Sequence, residues 1–174
     1  MEKGYTMKLK KLALIIGIII TLLELYFIFT IKQQYKGVYN ITFFLILVLS
    51  QPIWYSSLFK NKPSLFKLIY IVAITIAIPI GMYYSLPKYS YEAGKKIIED
   101  KIGDNKEVNF VSYGYDKSTI PTTDKGKSMF LNHRVYYYEV KLNDNSTFFA
   151  IEPSNGQVKE VEKDYWSEKY KSIK

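Results

Sequence analysis

Glu24 is the one charged residue in the apolar run Leu12 to Ile31, "LALIIGIIITLLELYFIFTI". A carboxyl group in such a run is costly, and it commonly marks a proton, an ion or a partner helix. Seven residues separate it from Ile31, which at 1.5 Å per residue puts it roughly 10 Å inside the outer end of the run. In an antiparallel bundle, Pro79 and Gly81 of the third apolar run lie at about the same level, with Thr42 of the second a little above. Pro79 leaves the carbonyl of Thr75 without its helical donor, and Gly81 lets a neighbouring backbone approach. Glu24, Thr42, Pro79 and Gly81 are therefore the expected intramembrane polar contact. Gln51-Pro52 lies nearer the inner end of the second run; it reads as a kink, too distant to partner Glu24.

Other chemistry is sparse. His133 is the sole histidine and there is no cysteine, so thiol chemistry, zinc-thiolate sites and a histidine metal cluster are excluded. The aspartates are scattered, without the spacing of a calcium loop, and no glycine-rich phosphate loop follows a strand. The expectation is a protein that is not an enzyme, with no catalytic residue, no metal and no cofactor. In the polar half, Tyr137 and Trp166 are the candidates for an exposed binding surface.

The composition divides near Pro87. Residues 1–86 carry nine lysines and two glutamates, whereas residues 87–174 carry fifteen basic and fourteen acidic residues. The excess of positive charge therefore flanks the apolar runs, and the polar half is nearly neutral. That distribution argues against a nucleic-acid partner, which requires a basic face on a folded domain.

Three runs, residues 12–31, 38–59 and 68–86, are read as transmembrane helices, since about 20 apolar residues cross a hydrocarbon core. Residues 1–87 are then a membrane domain, residues 88–166 an outer domain and residues 167–174 a polar tail. The first run is too long for a signal-peptide core and lacks a small-residue cleavage site, so it reads as an anchor. Met7 is an alternative start, because Glu2-Lys3-Gly4 is what a translated ribosome-binding site would spell. The N-terminus and second loop carry seven lysines against two in the first loop. By the positive-inside rule the N-terminus is cytoplasmic and the C-terminal domain extracytoplasmic. The expected location is a bacterial, Gram-positive cell membrane, multi-pass, with the lipid bilayer as one partner.

The outer domain reads as α+β. Ser90 and Gly103 bracket an amphipathic helix with Glu92 in its first turn. Ala93, Ile97, Ile98 and Ile102 mark its apolar face. "EVNFVSYGYD" reads as a strand and "KSTIPTTDKGKSMFLNH" as a polar loop. "YYYEVKL" and the stretch from Thr147 to Ile151 then form a hairpin around a four-residue loop, "NDNS", which pairs Tyr138 with Ile151 and Val140 with Phe149. Asn155-Gly156 makes the next turn, and "QVKEV" is a third strand whose valines differ in parity. The isoleucine face of the helix is expected to cover the side bearing Tyr136 and Tyr138.

Helix, strand, insert, "VYYYEV" and "FAIEPSNGQV" together resemble the PepSY family over about residues 88–163. Glu152 stands where that family usually has Asp, and Asn155 where it usually has Thr. The resemblance implies a small cystatin-like α+β module that binds or inhibits and does not catalyse. It suggests a membrane-anchored binding or regulatory protein of the envelope, of an inhibition, immunity or signalling type, with a protein or peptide partner at the outer face. The alternative expectation is an accessory subunit of a membrane complex, acting through its transmembrane helices around Glu24.

Overall fold

The computed structural model describes residues 2–60, 65–103, 107–122, 130–142 and 145–167. The chain forms two compact units. One holds Met1–Thr30 and Ile41–Leu86; the other holds Ile31–Asn40 and Pro87–Lys174.

The helical unit is built from α1 (Glu2–Gln34, whose last turn belongs to the sheet unit), α2 (Thr42–Lys60) and α3 (Leu65–Ser85). Helix α2 runs through Pro52 and α3 through Pro79. Among the described residues one helix, Lys11–Gln34, is long and apolar enough to cross a membrane. Of the three helices expected to cross, one meets that measure in full; the apolar parts of α2 and α3 run over Thr42–Ser57 and Ile69–Ser85. At 1.5 Å per residue these reach roughly 24–26 Å, against about 30 Å of hydrocarbon.

Large apolar side chains cover the outside of this unit as well as its interior. Leu23, Ile46, Ile53 and Ile69 are 62, 63, 70 and 58 % exposed. Thr21, Glu24 and Gln51 are buried. Gly17 permits the close approach of α1 and α2: a Cβ there would stand 2.8 Å from the Tyr55 ring.

The sheet unit contains α4 (Tyr91–Ile102) and five strands, β1 (Asn109–Phe110), β2 (Thr119–Pro121), β3 (Arg134–Leu142), β4 (Asn145–Ile151) and β5 (Val158–Val161). All pairings are antiparallel, in the order β1-β3-β4-β5, with β2 beside β1 on the same edge of β3. The fold class is α+β, as expected from the sequence. The N-cap is also as expected, with the Ser90 hydroxyl accepting from the Ala93 N–H at 3.2 Å and Gly103 closing the helix at φ 88°.

Three strand expectations need correction. The stretch after Glu107 forms only the two residues of β1 before a 3-10 turn at Tyr115–Lys117. The expected polar loop contains β2, where Thr119 and Ile120 are buried against β3. The hairpin pairs Leu142 with Asn145, Val140 with Thr147, Tyr138 with Phe149 and Tyr136 with Ile151. Only residues 143 and 144 lie between the paired ends, so the register differs by two from a four-residue loop. A shift of two preserves parity, and every side chain stays on its expected face. Strand β5 places Val158 opposite Ile151 and Val161 opposite Phe148, one valine for each face.

Helix α4 covers the face carrying Tyr136, Tyr138 and Val140, through Tyr91, Gly94 and Ile98. The Tyr91 and Tyr138 rings stack at 4.6 Å between centroids, and Tyr136 meets Tyr91 edge-on at 5.6 Å. The Tyr138 hydroxyl donates to the Tyr91 carbonyl at 2.8 Å, and the Tyr136 hydroxyl to the Tyr89 carbonyl at 3.0 Å. These bonds tie the first turn of the helix to the middle of the sheet. Gly94 makes room for them, because a Cβ there would collide with the Tyr138 hydroxyl. We predict that Gly94→Ala destabilises the sheet unit by about 1–3 kcal/mol, the usual cost of overpacking. Thermal melts check this, and adding Tyr138→Phe to Gly94→Ala is expected to recover part of the loss.

Candidate functional site

Glu24 is turned inward, 7 % exposed, and Gln51 of α2 is fully buried beside it. The Gln51 Nε2 donates to Glu24 Oε2 at 2.5 Å. The Gln51 Oε1 accepts from the Thr21 hydroxyl at 2.8 Å and from the Tyr55 hydroxyl at 3.1 Å. Tyr55 also lies 3.0 Å from the Thr75 hydroxyl of α3. The Thr21 and Thr75 hydroxyls bond back to the carbonyls of Gly17 and Ile71, at 3.0 and 2.9 Å. One connected polar cluster therefore links all three helices. Its Glu24 Oε1 is buried without a hydrogen-bond partner.

This replaces the expected grouping of Glu24 with Thr42, Pro79 and Gly81. Thr42 begins α2 and Pro79 lies within α3. Gly81 faces Phe44, whose ring carbon would stand 3.6 Å from a Cβ at that position. Gln51, expected to lie too far from Glu24 to partner it, meets it directly through its side chain. The signal was present in the spacing: Thr21 and Glu24 are i, i+3, and Gln51 and Tyr55 are i, i+4, so each pair shares one helix face.

In the sheet unit, Tyr137 is fully buried rather than exposed. It lies on the face opposite α4, in a cluster with Ile120 and Ala150, against which Tyr113, Phe148, Val161, Tyr165 and Trp166 pack. Its hydroxyl donates to Asp164 Oδ1 at 2.8 Å and accepts from the Tyr165 N–H at 3.2 Å. Asp164 Oδ1 also accepts from the Trp166 N–H at 3.0 Å, fixing the turn that lays Trp166 on the sheet. The Trp166 indole N–H donates to the Lys117 carbonyl at 3.0 Å. Tyr137 and Trp166 are thus packing residues of a second apolar face. Alternation in "YYYEV" marked that face correctly, but nothing local shows that a segment some 27 residues later returns to cover it. On the same face the Tyr113 hydroxyl donates to the Glu139 carboxylate, which also accepts from Ser146 at 2.7 Å.

The connection between α1 and α2 is part of this unit. The Asn40 N–H donates to the Phe130 carbonyl at 2.7 Å and the Asn132 N–H to the Val38 carbonyl at 2.8 Å, on either side of a bridge between Tyr39 and Leu131. The Asn132 side-chain amide donates to the Gly37 carbonyl at 2.8 Å. Among the described residues no group of three or more His, Cys, Asp or Glu side chains could hold a metal ion.

No protein-family model, curated protein or solved structure matches this chain. The functional reading rests on the two units themselves.

Burial raises the tyrosine hydroxyls of the sheet unit, that of Tyr91 to about 12 and those of Tyr136 and Tyr138 further still, since a phenolate would lose its hydration. A folded-state value above the unfolded value near 10 means that the stabilisation is complete below about pH 10. It is lost as pH rises through the folded values. We predict that these tyrosines ionise together with loss of the sheet in alkaline titration, followed by tyrosinate absorbance and circular dichroism on one sample.

Proposed function

We propose that this chain is a membrane-anchored binding or regulatory protein of the bacterial envelope, with its sheet unit on the outer face and α1 to α3 as a three-span anchor. The observation that carries the reading is the apolar exterior of the helical unit: large aliphatic side chains outside, with Thr21, Glu24 and Gln51 turned inside. Lipid is the surrounding that makes that distribution favourable. The pairing of residues 38–40 with 130–132 gives further support. The α1–α2 connection and the C-terminal strands lie in one unit, so residues 41–86 must leave and return on the same side of any membrane. A hairpin of two crossings does so, and α2 and α3, 19 and 21 residues in full, are long enough when their polar ends reach the headgroup layer. Lysine asymmetry then favours the outer side for the sheet unit.

The helix-on-sheet layer, the hairpin and the Asn155-Gly156 turn support the PepSY-like reading, and with it recognition of a protein or peptide without catalysis. The inward turn of Glu24 onto Gln51 favours this over a subunit role in which Glu24 meets a partner helix.

A chain without native cysteine makes a direct test simple. Gln33→Cys and Glu160→Cys, both at exposed positions, are expected to react alike with a membrane-impermeant maleimide on intact cells. Labelling of neither before lysis would place the sheet unit inside and overturn the reading; labelling of one alone would break the single-unit topology. A photo-crosslinking maleimide at position 160 is further expected to trap an envelope protein on irradiation.

A further inference from the structure

The polar cluster has a hydrogen-count problem, and its solution identifies the state of Glu24. Six contacts join the cluster and its two helix carbonyls: Thr21 to Gly17 O, Thr21 to Gln51, Gln51 to Glu24, Gln51 to Tyr55, Tyr55 to Thr75, and Thr75 to Ile71 O. Each needs one hydrogen. With the Gln51 oxygen toward Thr21 and Tyr55, and Glu24 ionised, three hydroxyls supply three hydrogens to the five contacts that depend on them. One amide hydrogen goes to Glu24 and the other has no acceptor in the cluster. Two contacts then lack a hydrogen, and a buried carboxylate keeps its charge with Oε1 unpaired.

Turning the Gln51 amide over closes the count. The two amide hydrogens go to the Thr21 and Tyr55 oxygens. Tyr55 then donates to Thr75, Thr75 to the Ile71 carbonyl and Thr21 to the Gly17 carbonyl. The contact to Glu24 becomes oxygen to oxygen, and it requires a hydrogen on the carboxyl group. That is the sixth hydrogen for the sixth contact. The unpaired Oε1 is then the carbonyl of a neutral acid, which costs far less to bury than half of an uncompensated charge. No cation offsets such a charge: the ion pair among the described residues is Lys95–Glu92, in the sheet unit. Besides Glu24 the titratable group of the cluster is Tyr55 of α2, bonded to Gln51, and α3 contributes the hydroxyl of Thr75.

We propose that Glu24 is a proton-binding site, held as a neutral carboxylic acid whose hydroxyl donates to the Gln51 side-chain oxygen. The proton enters from solvent as the three helices pack, and the carboxyl gives up a charge that the bundle has no means to neutralise. The inference goes beyond the proposed function, because it depends on the hydrogen count and not on how many helices cross a bilayer.

Infrared spectroscopy of the full-length protein in bilayers tests it. At neutral pH the wild type is expected to show a protonated-carboxyl carbonyl band, clear of the amide and carboxylate bands and displaced to low frequency by its strong hydrogen bond. Glutamate carrying a heavy carboxyl carbon should shift the band, assigning it to glutamate without any substitution. Glu24→Gln should abolish it, and Gln51→Leu should move it to higher frequency as the acid loses its acceptor. Absence of the band in the wild type at neutral pH, or its persistence in Glu24→Gln, would overturn the proposal. Should either variant fail to fold, the labelled wild type alone still decides whether a neutral glutamic acid is present.

Discussion

The antiparallel pairing of residues 38–40 with residues 130–132 is the constraint on which the rest depends. Two backbone hydrogen bonds and one side-chain amide hold the α1–α2 connection to a segment more than ninety residues later. The turn that allows it is local: Lys36 and Gly37 both adopt positive φ, 47° and 77°, and end α1 where an ordinary helix would continue. A side chain at Gly37 would press on the Tyr115 hydroxyl at 2.9 Å, so glycine serves both the backbone angle and the close approach. Once this connection is a strand-like part of the sheet unit, the chain that follows it is bound to return to the same unit at Pro87.

The helical unit is organised by a second constraint, the pairing of polar groups away from water. Gln51 has both a donor and an acceptor end, which is why it, and not the proline beside it, determines what α2 does in the bundle. It engages Glu24 with one end and Thr21 and Tyr55 with the other. Gly17 brings the Tyr55 ring against α1, and Tyr55 passes the chain of bonds to α3 through Thr75. Where the surrounding medium is apolar, such bonds and close packing specify helix contacts that apolar side chains alone leave undetermined.

Much of the sheet unit was legible in the sequence because its rules are local. Ser90 and Gly103 bracket α4, alternation separates Tyr136 and Tyr138 from Tyr137, and Gly156 with φ 75° makes the turn before β5. The hairpin register failed by two residues because parity is all that alternation encodes; both registers satisfy it equally. The burial of Tyr137 was illegible for a different reason. The residues that cover it, Tyr165 and Trp166, come from the far end of the chain, and bonds between distant residues, Tyr137 to Asp164, the Tyr165 N–H to Tyr137 and the Trp166 indole to the Lys117 carbonyl, bring them back. The strand at Thr119–Pro121 was hidden by its polar flanks, since pairing with β3 and not its own composition makes it a strand. In the helices, the apolar runs stop short of the ends of α2 and α3, and the Gln51–Glu24 pair is encoded in which residues share a helix face, not in their depth along it.

The pairing of the α1–α2 connection with the sheet unit can be tested by crosslinking in the absence of any native thiol. Tyr39 and Leu131 face each other between the two flanking backbone bonds, which makes them a non-hydrogen-bonded pair with Cα atoms about 4.5 Å apart, within disulfide range. The double variant Tyr39→Cys, Leu131→Cys of the full-length protein is predicted to form an intramolecular disulfide on mild oxidation, seen as a shift in electrophoretic mobility that reductant reverses and that neither single variant shows. Failure of the pair to crosslink, while a cysteine pair at Phe148 and Val161 within the sheet does so under the same conditions, would contradict the joined unit and the topology built on it.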